Sequence, residues 1–383
     1  MKTRRNAVSL SLALNCLTAF GLAQQPAGPA LQADGFCGTI VTAEQIEREL
    51  EWQDAGLFDG VWTRGADFNY IRVAIHIVRY SDGSGGINLA NIQIGLDEAN
   101  DEFADSRLVF IPIYRDFIDN STYADIADGT EGDALRQINV VAGALNIYFV
   151  PNAPYCGQST FPSGVPGSDG GPQGIIMSNS CTALGGILAH EIGHYFMLYH
   201  THETGFGPEC PGLGNCGALG DLVCDTPPDP GLHSCDGSLG SCVNNCTYIG
   251  TARCDTTGLL YAPDVHNTMS YTDPECMIGF SAGQEVRIAA ALTLPDRSDE
   301  IAFQNSCGRP TYAQPGIGVG LGVWAAPDYG LRAAISRAAN RCPGGGVVIA
   351  IRGNYNEGTA VFNTPMTIVA SRNEGSGDVV IRP

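Results

Sequence analysis

The fold of this chain follows from one stretch of its sequence, HEIGHYFMLYH at residues 190–200. On a helix, His190 and His194 lie four residues apart and therefore project from the same face. Two neutral imidazoles at this spacing bind one Zn²⁺ ion, and Glu191 beside them is placed to take a proton from a water molecule. His200 becomes a third ligand only if the helix ends before it and the chain turns back. Three protein ligands with one open position are typical of a catalytic zinc site.

An ordinary helix that carries two histidines by chance is the alternative. The preceding residues 182–189 (TALGGILA) are apolar and compatible with a helix, as expected for the buried helix of an active site. If this helix continued through Met197, His200 would point about 80° away from His190 and could not share its metal ion. The chain has only seven histidines, and one of them, His200, lies where a third metal ligand is expected. The sequence therefore favours a metal site.

The amino terminus has the pattern of a secretory signal. Three basic residues precede an apolar stretch at residues 7–22 that is short for a membrane span, and small residues suited to cleavage end it. We therefore predict a signal peptide at residues 1–23 and a secreted, extracellular protein. A lipoprotein signal at Cys16 is the alternative. No other stretch predicts a membrane span.

The composition narrows the choice of partners. The chain has 383 residues and a formal net charge of −20 at pH 7, and it is long enough for two domains. Its acidic balance argues against nucleic acids and anionic membranes as partners. Acidic loops also suit Ca²⁺, which prefers carboxylate and carbonyl oxygens. Solubility in an extracellular medium explains the charge equally well.

The cysteines indicate an oxidising compartment. Of the fourteen cysteines, Cys16 leaves with the signal peptide, so an odd number remains and at least one thiol lacks a partner within the chain. Eight cysteines lie within residues 210–276. Their spacings do not form two C-x-x-C pairs, which favours disulfides that staple a long loop over a zinc ribbon. The pairing does not follow from the sequence.

Helical and strand patterns alternate along residues 42–292. Thr42 is the expected N-cap of the first helix, with Gln45 completing a capping box. His76 lies in a strand and is expected to be structural. The simplest architecture is an α+β fold, in which a twisted mixed sheet packs on the active-site helix. We predict helices over residues 42–52, 89–104, 132–139 and 281–292, and strands over residues 70–80, 108–114, 145–150 and 174–178.

Several motifs together resemble the metzincin metallopeptidases. The three-histidine stretch is followed by NTMSY at residues 267–271, which resembles a Met-turn. GDLVCDTP at residues 220–227 and DPECM at residues 273–277 resemble the pappalysin family in particular, as does FCGT at residues 36–39. The resemblance covers about residues 36–307. It implies a metzincin-like catalytic domain that cleaves proteins or peptides.

The resemblance also implies a role for each residue that matches the family pattern. His190, His194 and His200 bind zinc, and Glu191 polarises the attacking water and passes its proton to the leaving amine. Met269 forms an apolar floor beneath the ligands.

Further implied roles concern the oxyanion and a second metal. Tyr271 stabilises the developing oxyanion, for which a phenol is a suitable donor, or swings toward the metal. Ordinary core packing is the alternative for Tyr271 and Met269. Asp221, Asp225 and Thr226 offer oxygen ligands to a calcium ion in the insertion loop, the long irregular stretch at residues 201–266. The alternative for these three is a capped, solvated acidic turn.

Two positions depart from the simplest expectation. The metzincin pattern has glycine where this chain has Met197, and a side chain in a left-handed turn there costs about 1–2 kcal/mol. Cys37 precedes the catalytic region and is the candidate for the odd thiol. We expect residues 24–65 to form a pro-segment in which the Cys37 thiolate occupies the fourth position of the zinc. A disulfide at Cys37 is the alternative.

The remaining segments complete the predicted domain organisation. Residues 66–307 form the zinc peptidase domain, residues 308–327 a linker, and residues 328–383 a small β-rich segment. That segment has one helix followed by short strands and resembles the first coil of a parallel β-helix. A β-rich appendage of other origin is the alternative. Its open strand edge suits contact with a surface or a carbohydrate.

The sequence thus predicts a secreted zinc endopeptidase. A non-catalytic extracellular adhesion or carbohydrate-binding protein on the same scaffold is the alternative, and the intact Glu191 and Tyr271 argue against it. A thermolysin-like site with a downstream glutamate ligand is less consistent with His200 and Met269. The carboxylates of Asp273 and Glu275, shortly after the Met-turn, favour a basic substrate side chain next to the scissile bond.

Overall fold

The computed structural model describes residues 36–59, 65–165, 171–315, 320–343, 345–351, 354–356, 366–371 and 380–382. The predicted signal peptide lies outside this part. The helices are α1 (Ala43–Asp54), α2 (Leu89–Glu102), α3 (Ser121–Ala124), α4 (Gly129–Leu135), α5 (Ile187–Tyr195), α6 (Ala282–Ala291), α7 (Pro295–Ser298) and α8 (Leu331–Arg341). The strands are β1 (Phe68–Arg79), β2 (Leu108–Asp119), β3 (Leu145–Val150), β4 (Gly157–Ser159), β5 (Ile175–Ser178), β6 (Val243–Asn244), β7 (Thr247–Tyr248), β8 (Ile301–Asn305), β9 (Thr311–Gln314), β10 (Asp328–Tyr329), β11 (Gly346–Ile351), β12 (Asn354–Asn356), β13 (Met366–Ser371) and β14 (Val380–Arg382).

The main sheet is mixed, as expected. Its strand order is β2-β1-β3-β5-β4, and β8 adds to β1. The first four strands run parallel, whereas β4 pairs antiparallel with β5 at the edge. β3 is wholly buried and most of β1 is buried, as their runs of branched apolar residues predict for a parallel sheet covered on both faces. The active-site helix α5 packs against α2, β4 and β5, so it lies near the edge of the sheet that β4 forms.

Two helices differ from prediction in informative ways. The Thr42 hydroxyl accepts from the Gln45 N–H at 3.2 Å, so the N-cap is confirmed. The Gln45 amide does not complete a capping box but donates to the Tyr199 hydroxyl at 3.1 Å. The helix predicted over residues 132–139 is α4, which begins earlier because the Asp128 carboxylate accepts from two N–H groups of its first turn.

The long segment between α5 and α6 is held by disulfides. All eight of its cysteines are paired, which confirms disulfides over a zinc ribbon. The pairs are Cys210–Cys254, Cys216–Cys224, Cys235–Cys242 and Cys246–Cys276. Because this segment has only two short strands and a short 3₁₀ helix of its own, covalent links restrict its conformations where regular secondary structure does not.

The carboxyl-terminal segment stacks parallel strands. β11 pairs with both β9 and β13, and β12 pairs with β14. Strand β9 lies within the predicted linker, so the linker is partly structured. A disulfide joins Cys307, just after β8, to Cys342, just after α8. Within the described residues, no helix has both the length and the apolar character needed to cross a membrane.

Candidate active site

Helix α5 ends where the three-histidine arrangement requires it to end. Every residue of α5 is buried. The backbone of Met197 has φ of +73°, and the Leu198 N–H returns to the Gly193 carbonyl oxygen at 2.9 Å. This left-handed turn is one that glycine would adopt more easily. The Met197 side chain is fully buried, and its packing offsets part of the backbone strain.

The turn brings four ligand atoms together. His194 Nε2 lies 3.0 Å from His200 Nε2 and 3.5 Å from Cys37 Sγ. Together with a ring nitrogen of His190, these atoms all lie within 4.8 Å of one another. A tetrahedral zinc with bonds of about 2.1 Å needs ligand atoms about 3.4 Å apart. The spacing therefore fits zinc.

The protonation of the histidines also fits a metal. The Nδ1 atoms of His190 and His194 lie 2.7 Å from the carbonyl oxygens of Thr268 and Leu198. They therefore donate, and the Nε2 lone pairs face the other ligands. His190 Nε2 is buried without a hydrogen-bond partner. Burial lowers the pKa of His190 to about 4, so its imidazole is neutral and able to bind a cation.

Glu191 lies fully buried beside this cluster. Its Oε2 accepts from the Thr39 hydroxyl at 3.1 Å, and its Oε1 has no partner. Burial raises the pKa of Glu191 to about 8, although hydrogen bonds from Cys37 and Thr39 and the charge of Arg136 oppose this. A side chain at Gly157 would overlap the Glu191 carboxylate. Strand β4 therefore passes directly over the candidate base.

The Met-turn residues pack against α5 and His200. Met269 is fully buried, and its sulfur fills the space that a side chain at Gly193 would need. The Tyr271 ring packs edge-on against His200 at 4.9 Å between centroids. Its hydroxyl donates to the main-chain oxygen of Cys37 at 3.5 Å. Tyr271 thus already binds a peptide carbonyl beside the metal ligands.

The amino-terminal segment lies against the three histidines and Glu191. Cys37 is the cysteine without a disulfide among the residues described, and it is buried. Burial, with Glu191 adding to it, raises the pKa of the Cys37 thiol. The segment forms a parallel bridge from Cys37 to Gly157 of β4. It therefore covers the sheet edge that passes over Glu191.

The predicted calcium residues have different hydrogen-bond partners. Asp221 Oδ1 accepts from the Thr226 hydroxyl at 3.0 Å, whereas its Oδ2 is buried without a partner. Burial raises the pKa of Asp221 to about 7. Asp225 instead accepts from Ser281 Oγ and the Gly283 N–H, at the amino end of α6. The Asp225 carboxylate thus has its own partners.

Two further histidines near the site are not among the residues predicted from the sequence. The rings of His202 and His233 lie 4.4 and 5.2 Å from the Tyr271 ring. Burial lowers the pKa of His202 to about 3, so this ring is neutral. The position of His202, two residues after His200, indicates that it lies near the ligands. Nothing in the sequence indicates that His233 lies near Tyr271.

The chain has relatives among curated proteins. An extracellular metalloprotease of Colletotrichum graminicola is 31% identical over 284 residues, which span 68% of this chain and 91% of that protein. One of Verticillium alfalfae is 32% identical over 224 residues, or 54% of this chain and 70% of that protein. Among solved structures, a Tannerella forsythia promirolysin mutant is 19% identical, with a TM-score of 0.49 over 70% of this chain and 97% of its own. No protein-family model matches the chain.

Proposed function

Because the chain belongs to the family of extracellular metalloproteases, we propose that it is a secreted zinc endopeptidase in which Glu191 activates the attacking water. The observation that carries the proposal is the convergence of ring nitrogens from His190, His194 and His200. Glu191 lies within hydrogen-bonding reach of the same Cys37 thiol that approaches these nitrogens. The three histidine nitrogens and the Glu191 carboxylate thus lie together in one buried site.

The roles of the protein groups follow from their positions. Zinc held by the three histidines would polarise a carbonyl and make water a stronger acid. Glu191 accepts the proton of the attacking water and then donates it to the leaving amine. The Tyr271 hydroxyl donates to the carbonyl oxygen of the substrate as that oxygen gains negative charge. Its contact with the Cys37 carbonyl supports this role.

The first test separates metal binding from catalysis. Zinc content and casein cleavage are measured for the processed protein, from which the predicted pro-segment (residues 24–65) has been removed, and for its Glu191→Gln and His190→Ala variants. We expect cleavage by the unmutated protein, zinc without cleavage in Glu191→Gln, and neither in His190→Ala. His266→Ala is the matched control, because this histidine is exposed outside the cluster. Zinc without cleavage in the processed protein would favour the non-catalytic alternative.

The proposal includes latency of the unprocessed chain. The Cys37 sulfur and the three histidine nitrogens lie within 4.8 Å of one another, which supports a role for this thiol as a fourth ligand, and its segment covers the edge of β4. Although burial raises the pKa of this thiol, a bound zinc cation deprotonates a coordinating thiol. Residues 24–65 would therefore act as a pro-segment that excludes both water and substrate.

Cobalt substitution tests the thiolate directly. A thiolate bound to Co²⁺ gives a charge-transfer absorption that histidine ligands do not give. We expect this absorption in the full-length protein and its loss in Cys37→Ser, while the cobalt remains bound. Mass mapping of the latent protein should find Cys37 alkylated only after denaturation. Cys37 in a disulfide would exclude the latency role.

The proposal also includes one calcium ion in the insertion loop. The buried Oδ2 of Asp221 lacks a hydrogen-bond partner in the described structure, and a buried polar atom without a partner is costly. The Thr226 hydroxyl donates to the other oxygen, Oδ1, of the same carboxylate. Asp225 contributes by shaping the loop, because its carboxylate binds the amino end of α6.

A further inference from the structure

The side chain of Phe36 fills a place beside the metal ligands. Phe36 directly precedes Cys37 and is only 4% exposed. Its ring centroid lies 4.9 Å from that of Tyr271 and 5.2 Å from that of His190, with interplanar angles of 78° and 65°. Such edge-on contacts are favourable arrangements for aromatic pairs. An aromatic side chain therefore has a fitted, covered position next to two residues of the site.

The backbone of the same segment binds as an added strand. The Phe36 carbonyl oxygen accepts from the N–H groups of Cys156 at 3.0 Å and Gly157 at 3.3 Å. The Gly38 N–H donates to the Gly157 carbonyl oxygen at 2.8 Å. An extended peptide substrate presents the same donors and acceptors to this edge of the sheet. A substrate and the Phe36 segment therefore compete for one place.

We infer that the position of Phe36 is a substrate subsite, which accepts an aromatic or large aliphatic side chain next to the scissile bond. This inference rests on the proposed function. The rings of Tyr271 and His190 form its walls. Burying a large apolar side chain between such walls favours it over glycine by roughly tenfold to a hundredfold.

The acidic residues after the Met-turn would instead favour a basic substrate side chain. Asp273 and Glu275 are exposed, and Asp273 Oδ1 accepts from the Glu275 N–H at the start of a short 3₁₀ helix. Exposed carboxylates attract a cation weakly because solvent and salt screen them. The covered aromatic walls therefore determine specificity more strongly than these charges do.

Peptide cleavage gives the first measurement. Processed protein is given matched peptides that carry phenylalanine, leucine, arginine, aspartate or glycine on either side of the cleaved bond. We expect kcat/KM for phenylalanine or leucine, on one side of that bond, to exceed that for arginine and glycine roughly tenfold to a hundredfold. A preference for arginine or aspartate, or none on either side, would overturn the inference.

Peptide binding gives a second measurement that needs no catalysis. The probe is a synthetic peptide of residues 34–41 with Cys37→Ser, which removes the thiolate contribution, and it is titrated into zinc-loaded, processed Glu191→Gln protein. Further replacing Phe36 by leucine should retain affinity, whereas alanine or arginine should weaken it at least tenfold. Equal affinities would refute the subsite. Failure to cleave any peptide, with this binding preference intact, would count against the proposed function alone.

Discussion

The guanidinium of Arg287 donates through Nε to the carbonyl oxygen of Met197 at 3.2 Å, at the turn that brings His200 to the other ligands. Through Nη2 it also donates to the Glu49 carboxylate at 2.9 Å, and both side chains are buried. One arginine thus joins the turn, α6 and the amino-terminal helix α1. Removing one partner of a buried ion pair costs about 3–5 kcal/mol, because the other charge remains without compensation.

Replacing Arg287 should therefore damage the turn. For Arg287→Met in the full-length protein, we expect a loss of roughly 3–5 kcal/mol in the free energy of unfolding and reduced zinc content. The double variant Glu49→Gln/Arg287→Met should recover part of that loss. Arg48→Met is the control, since Arg48 pairs with the exposed Glu44 and should cost less than about 1 kcal/mol. Urea unfolding with the disulfides intact measures all four proteins, and equal losses for Arg287→Met and Arg48→Met would contradict this account.

Met197→Gly tests which of two opposing effects dominates at the turn. Glycine relieves a backbone strain of about 1–2 kcal/mol at φ of +73°. It also deletes a fully buried side chain, a change that typically costs about 2–5 kcal/mol. We therefore expect a net destabilisation of roughly 1–3 kcal/mol with zinc affinity retained. A variant more stable than the unmutated protein would show that strain dominates.

Local patterns predicted much of this fold. The strands predicted at residues 70–80 and 145–150 are β1 and β3 within two residues, because runs of branched apolar residues report burial directly. The metallopeptidase prediction is confirmed by the relatives, since its motif spacing is set by metal geometry. Such features depend on residues close in sequence.

Other features depend on residues that are distant in sequence. The three-residue strand β4 has no apolar pattern, and its conformation depends on pairing with β5 and with the Cys37 segment. The Glu49–Arg287 pair spans 238 positions. The four pairings of the loop cysteines follow from the fold in the same way. No local rule predicts these contacts, because tertiary packing brings the partners together.

Calcium should stabilise the insertion loop. Because Asp221 Oδ2 is buried without a partner, an added Ca²⁺ ion should raise the melting temperature of the zinc-loaded protein. Asp221→Asn should abolish most of that increase, since an amide is a weaker ligand and carries no charge. Asp128→Asn is the control, because Asp128 caps a distant helix. The same calcium response in Asp221→Asn and in the unmutated protein would exclude this site.

Stability should also depend on pH through Glu300. This carboxyl is buried and accepts from the Tyr195 hydroxyl, and burial raises its pKa to about 8 although the charge of Arg297 opposes the shift. Because the pKa is higher in the folded state than in the unfolded state, the contribution to stability is fully present below about pH 4.5 and is lost as pH rises toward 8. Over that range the loss is on the order of a few kcal/mol at most. Unfolding free energies at pH 5 and pH 8 should therefore differ less for Glu300→Gln than for the unmutated protein, and the exposed control Glu44→Gln should keep the original difference. An unchanged difference in Glu300→Gln would mean that other groups produce the pH dependence.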